Sequence, residues 1–138
     1  MKRFAITLAL AAAALALTVP GASAANFKFF KTPSGNIGCV MGGGAVRCDI
    51  KQKSWEAPPK PSWCDVDWGF GVAVGRKHKA NYVCAGDTAF DPGEPTLGYG
   101  ERQVKNRFRC TSKQKGIRCV NTKNKHGFFM SREQVRLF

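Results

Sequence analysis

Two histidines, His78 and His126, and six cysteines are the side chains of this 138-residue chain best equipped for chemistry. Imidazole exchanges protons near neutral pH, and two such groups at one phosphate are what an acid–base ribonuclease needs. His126 follows Lys125, close to a basic run, whereas His78 stands among Arg76, Lys77 and Lys79 in what reads as a plain turn. No spacing ties the two together. A secreted ribonuclease-like hydrolase using His126 is therefore the alternative reading, and surface histidines are the simpler one. There is no Gly-x-Ser-x-Gly elbow, phosphate loop or His-Glu-x-x-His helix. Asp65 and Asp67 flank Val66, but two carboxylates do not make a calcium site. Neither metal nor cofactor is expected, and the chain reads more readily as a binder than as an enzyme.

The cysteines are Cys39, Cys48, Cys64, Cys84, Cys110 and Cys119. Zinc sites use close pairs two to four residues apart, a spacing absent here, so disulfides are the expected use. The segment from Cys39 to Cys48 folds back about Gly43-Gly44, where a tight turn would set the two cysteines opposite one another. Cys110 and Cys119 have the same spacing, with Gly116 placed for a slightly longer, bulged turn. Opposed residues of an antiparallel pair lie within disulfide reach. Cys64 and Cys84 then remain for each other. With all thiols paired, no sulfur nucleophile is left.

The elements that must position these residues are short strands. Val46, Cys48 and Ile50 alternate with Arg47, Asp49 and Lys51; Phe70, Val72 and Val74 alternate with small residues; Val104 and Phe108 alternate with Lys105, Arg107 and Arg109. No long stretch has a helical period. The fold class is mainly β, a small single-domain antiparallel sheet protein stapled by disulfides, with two cysteine-bridged hairpins. Ala57-Pro58-Pro59-Lys60-Pro61 should be extended, and Asp91-Pro92-Gly93-Glu94-Pro95 should be a surface loop. Ser131–Phe138 is either a short helix capped by Ser131 or a last strand. Val46-Arg47-Cys48 and Ile117-Arg118-Cys119 share a pattern that fits either an internal duplication or two hairpins converging on one staple.

Residues 1–24 read as a signal peptide, with Lys2 and Arg3 at its start, an apolar run from Phe4 to Val19, and a small-residue cleavage site at Ala22-Ser23-Ala24. The run is shorter than a bilayer-spanning helix, and no cysteine follows the cleavage site for lipidation. A domain over residues 25–138, secreted to the extracellular space as a monomer without a transmembrane anchor, is the expectation.

The formal net charge is +13. Residues 25–100 hold nine basic and seven acidic side chains, whereas residues 101–138 hold eleven and two. If Cys110 and Cys119 face one way, Lys105, Arg107, Arg109 and Arg118 should face the other, forming an anion-binding surface with Lys113, Lys115, Lys123 and Lys125 in adjoining turns. Such a face is as readily a solvated surface, yet clustered cations repel and favour an anionic partner. A cell-envelope polymer or another polyanion fits. The expected face has no aromatic platform, which argues against specific nucleic-acid recognition. Trp55, Trp63 and Trp68 line a sugar or peptide groove or fill a core beside Cys64, core filling being the simpler use.

Thr32-Pro33-Ser34-Gly35-Asn36-Ile37-Gly38-Cys39, Val46-Arg47-Cys48-Asp49-Ile50, Asp67-Trp68-Gly69, Cys84-Ala85-Gly86-Asp87-Thr88 and His126-Gly127-Phe128-Phe129-Met130-Ser131-Arg132 resemble a family of small secreted bacterial proteins, largely actinobacterial, defined as a domain of unknown function. The resemblance covers nearly the whole exported chain and implies secretion and one domain, with no activity attached. The functional expectation is a non-enzymatic binding or surface-associated module for anionic partners. A protease-inhibitor-like module presenting the loop from Asp91 to Pro95 is a further alternative.

Overall fold

The computed structural model describes residues 26–138; the leader expected over residues 1–24 lies outside them. Apolar side chains at two-residue spacing favour extended chain with one buried face. The described chain accordingly forms ten strands and no helix. Strands β1 (Lys28–Lys31), β2 (Ile37–Gly42), β3 (Ala45–Ile50), β4 (Trp68–Gly75) and β5 (Asn81–Cys84) pair in chain order as one antiparallel sheet. Strands β6 (Arg102–Lys105), β7 (Phe108–Lys113), β8 (Gly116–Asn121), β9 (Gly127–Met130) and β10 (Val135–Leu137) form a second sheet with the same up-and-down order.

The sheets bury one face each against the other. Met41, Val46, Val72 and Val74 from the first sheet join Phe108, Ile117, Phe128 and Met130 from the second in one core cluster. Both hairpin disulfides belong to that core. Cys39–Cys48 bridges directly opposed residues of β2 and β3, and Cys110–Cys119 does the same for β7 and β8, with Cα separations of 4.1 and 4.0 Å. Each staple therefore joins the second and third strands of its sheet. The position across the next strand is also equivalent, Val72 opposite Cys48 and Phe128 opposite Cys119. The short sequence echo thus extends to a repeated five-strand meander.

The two hairpins turn differently. Gly43 and Gly44, at φ 60° and 82°, make the left-handed two-residue turn whose twist matches paired strands. The second turn is also only two residues, Gln114-Lys115, because Lys113 pairs with Gly116. It is shorter than the bulged turn expected. Gly116 takes φ 143°, and a Cβ there would meet the carbonyl oxygen of Met130, so the close approach of two backbones requires glycine.

Long connections tie the sheets together. Between β3 and β4, the Ser54 N–H and the Trp55 indole N–H donate to the carbonyls of Arg132 and Ser131 at 2.8 and 2.9 Å, and Cys64–Cys84 anchors this segment to β5. Between β5 and β6, the Lys31 N–H donates to the Pro95 carbonyl and the Leu97 N–H to the Lys31 carbonyl, covering the edge of β1. Glu94 is buried in this stretch, and its Oε2 accepts the Asp91 N–H at 2.8 Å, so the Asp91–Pro95 loop is curled onto itself with Asp91, Pro92 and Gly93 exposed. The tail ends as a strand. Ser131 Oγ accepts the N–H groups of Glu133 and Gln134, turning the chain so that β10 pairs with β9.

Candidate functional site

Burial of Cys110 and Cys119 on the inner face of the second sheet directs their strand neighbours Arg109, Thr111 and Arg118 outward. Pairing then aligns a transverse row on the outer face: Arg102 opposite Thr111, Thr111 opposite Arg118, Arg118 opposite Phe129, and Phe129 opposite Arg136. Arg109 stands in the adjacent row, between Val104 and Val120. Five strands thus bring Arg102, Arg109, Arg118 and Arg136 onto one surface, with Lys113 at its margin.

Two of the residues expected on this face lie elsewhere. The residues from Val104 to Arg109 are not one continuous strand: the chain turns at Asn106-Arg107, with Asn106 at φ 54°. Lys105 pairs with Phe108 and so shares the core side of the sheet at its edge, and Arg107 lies in the turn. The signal was Asn106, a residue that tolerates the left-handed conformation and marks turns. Counting outward from the cysteines across that turn reversed the faces. The same turn hid Arg102, and the undecided tail hid Arg136.

The outer face also holds aromatic rings, contrary to expectation. The Arg136 guanidinium lies 5.3 Å from the centroid of Phe129, and that of Arg118 lies 4.7 Å from the centroid of Phe138. Each ring has an arginine over it, which fixes the cation and occupies a ring face that a base would need for stacking. Between Arg118, Arg136, Phe129, Gln134, Thr111 and Lys115 runs a groove of about 440 Å³. Its floor is apolar and its walls are cationic.

That groove shares Lys113, Lys115 and Gly116 with a cleft of about 490 Å³ at the end of the sandwich. The cleft joins Ser34 and Asn36 of the β1–β2 turn, Lys51, and Arg132 with Glu133 of the β9–β10 turn. The Asn36 side chain donates to the Gln52 carbonyl at 2.9 Å and accepts the Gln52 N–H, so this turn is a hydrogen-bonded rim of the cleft.

The cations of the second sheet have no carboxylate partners. Among the described residues, Arg47 alone has carboxylate oxygens within 4.0 Å, at 2.7 Å from Asp49 and 2.8 Å from Asp87. Arg47 is the counterpart of Arg118 on the first sheet, yet its environment is different. Burial opposes its charge, but the two carboxylates outweigh that and raise its pKa above the ordinary arginine value. Hydrogen bonding from Arg47 in turn holds the Asp87 carboxyl below the usual range. The Asp49 Oδ2 also accepts the Ala89 N–H at 2.8 Å. Here the cation is consumed in structure; on the second sheet it is free.

The tryptophans form an edge-linked series, Trp55 to Tyr82, Tyr82 to Trp68 and Trp68 to Trp63, at 6.3, 5.9 and 6.0 Å. Trp68 donates to the Pro58 carbonyl and Trp55 to that of Ser131, so both brace connections, while Trp63 is 68% exposed. Burial pushes the Tyr82 hydroxyl above its ordinary pKa. His78 is exposed on the β4–β5 turn and His126 half-buried on the β8–β9 turn; the His126 N–H donates to Asn124 Oδ1 and its carbonyl accepts the Asn121 N–H, and among the described residues no hydrogen bond reaches its imidazole. Cys39, Cys48 and Cys119 gather their sulfurs closely, but all three are in disulfides and offer no thiolate to a metal.

Fold and surface define a disulfide-stapled β-sandwich in which one arginine of the first sheet is ion-paired and, among the described residues, the arginines on the outer face of the second sheet are not. The chain belongs to the family of unknown function DUF6636, which it matches over residues 5–138. Neither the curated proteins nor the solved structures contain a match to it.

Proposed function

We propose that this protein is a non-enzymatic module that works outside the cell and binds an anionic envelope polymer along the outer face of its second sheet. The observation that carries the reading is the row Arg102, Arg118 and Arg136, with Arg109 beside it and no carboxylate within ion-pair distance. Guanidinium groups present several donors in a fixed plane and suit phosphate or carboxylate oxygens. Two of these arginines are held over phenylalanine rings, which lowers the conformational freedom lost on binding. The groove between them is open and shares Lys113, Lys115 and Gly116 with the end cleft, and two adjoining basic hollows suit a chain better than a small ligand. Three disulfides fit an oxidising compartment.

The test is co-sedimentation of residues 25–138 with insoluble cell-wall polymer from which lipid has been extracted, over a salt series. If three cations engage the polymer, affinity should fall by about a hundredfold or more over a tenfold rise in salt, because counterions are released on binding. The Arg118→Glu/Arg136→Glu variant should lose binding while keeping its disulfides and its melting temperature. Salt-independent binding, or full binding by that variant, overturns the proposal.

A further inference from the structure

A second charged surface lies at one end of the sandwich, built from turns rather than strands. Asn121, at the end of β8, donates through Nδ2 to the carbonyls of Gly75 and Arg76 at 3.1 and 3.2 Å, and Asn124 donates to the Arg76 carbonyl at 3.1 Å. The Thr122 N–H and hydroxyl both donate to the Arg107 carbonyl, at 2.7 and 2.9 Å. The Arg76 side chain also lies against Gly44. The β2–β3, β4–β5, β6–β7 and β8–β9 turns are therefore clamped into a single surface.

These turns carry Arg76, Lys77, Lys79, Arg107, Lys123 and Lys125, together with both histidines, and contain no aspartate or glutamate. The nine acidic side chains lie instead in residues 49–67 and 87–101 and at Glu133, segments that the meanders carry to the opposite end. Negative side chains are thus kept away from this end, whereas cations lie at both. No groove described above is lined by any of these six cations. Five of the six are exposed, and Arg107 is half-buried.

Exposed cations on neighbouring turns, outside both grooves, complement a surface of anions rather than a polymer segment seated in a groove. Phe27 is at the same end, 48% exposed, with its ring against Gly42 and Gly43, and supplies an apolar side chain at the level of the charges. The described chain also begins there, and only six residues separate Asn26 from the apolar run Phe4–Val19. A domain still joined to that run during export would present this end to the bilayer. We infer that the turn end of the sandwich is a docking surface for anionic phospholipid headgroups, separate from the polymer-binding face of the second sheet. Basic side chains near a negatively charged leaflet each strengthen binding several-fold, and exposed aromatic rings settle at the interface.

The test is sedimentation of residues 25–138 with vesicles of phosphatidylglycerol and phosphatidylcholine, beside vesicles of phosphatidylcholine alone. Binding to the anionic vesicles only is expected, weakened about a hundredfold in Lys77→Glu/Lys79→Glu/Lys123→Glu and unchanged in Arg118→Glu/Arg136→Glu. Envelope-polymer binding should show the reverse pattern, so the two surfaces fail independently. These lysines are exposed turn residues; the milder Lys77→Gln/Lys79→Gln/Lys123→Gln variant should show an intermediate loss. Equal binding to both vesicle types, no binding to either, or full binding by the glutamate variant overturns the inference. So does binding of single-stranded RNA, lost in the glutamate variant, without binding of vesicles.

Discussion

The sulfur of Cys48 lies 3.7 Å from the sulfur of Cys119, so the staples of the two sheets touch at the centre of the core. Both sulfurs are oxidised and neither carries a proton, so the contact is packing rather than a hydrogen bond. The bridges close equally short loops, each with a sequence separation of nine, whereas Cys64–Cys84 spans twenty.

Replacing Cys39 and Cys48 together by alanine should cost about 2 to 4 kcal/mol, as should replacing Cys110 and Cys119. Because the two bridges share a contact, removing all four should not give the sum of the two losses; a coupling of about 1 kcal/mol is expected. Urea unfolding of the three variants measures it. Strict additivity would show that the sulfur contact contributes nothing of its own.

Arg47 holds two carboxylates of unequal burial, so its partners should respond differently to substitution. Arg47→Met leaves the buried Asp49 without its cation and should cost about 3 kcal/mol. Asp87→Asn removes an exposed, solvent-screened partner and should cost only about 0.5 kcal/mol.

The pH dependence of that smaller contribution follows from the depressed Asp87 pKa. A carboxyl whose folded pKa lies below its unfolded value stabilises fully above the unfolded pKa and loses that contribution as pH falls through the folded one. The difference in stability between wild type and Asp87→Asn should therefore be constant at neutral pH and vanish only below the usual carboxylate range. Urea midpoints measured from pH 7 to pH 2 test this, and a difference that grew on acidification would contradict the ion pair.

Much of this architecture was legible because two-residue alternation and glycine turns are local signals. Val46, Cys48 and Ile50 were enough to orient β3, and Gly43-Gly44 was enough to oppose Cys39 with Cys48. The basic face was legible only in part. Arg109 and Arg118 sit beside the cysteines that set the alternation, but Arg107 lies in the Asn106-Arg107 turn and Arg102 and Lys105 lie beyond it, where the parity restarts. Arg136 and Phe129 meet through the pairing of β10 with β9, a pairing decided by the turn at Ser131 rather than by a pattern within the strand. The gathering of turns around Asn121 depends on how two sheets stack, which no local pattern records.

Arg118 and Arg136 act as phosphate or carboxylate contacts, so neutralising one should alter the salt response as well as the affinity. Arg118→Gln should weaken polymer binding about tenfold at low salt and lower the slope of log affinity against log salt by about 1. Phe129→Leu keeps the charges but releases Arg136 from its ring. It should weaken binding by a few-fold with the slope unchanged. A changed slope in Phe129→Leu would mean that the ring affects how many charges engage.

Asn121 is the buried polar residue that the second sheet uses to hold the first. Its side-chain amide donates to two carbonyls of the β4–β5 turn, and its Oδ1 accepts the Lys123 N–H at 3.1 Å. Asn121→Ala would leave the Gly75 carbonyl without its side-chain donor, leave the Arg76 carbonyl to Asn124 alone, and open a small cavity, costing about 2 kcal/mol. The larger consequence should be local, because the turn cations are aligned only while the turns are clamped. Hydrogen exchange should speed up at the amides of residues 76–80 and 122–126, while those of β2, β3, β7 and β8, whose pairing does not depend on Asn121 Nδ2, should change only in proportion to the global loss. If exchange rose uniformly across both sheets, Asn121 would be a core-stability residue and not the clamp that aligns the charged end.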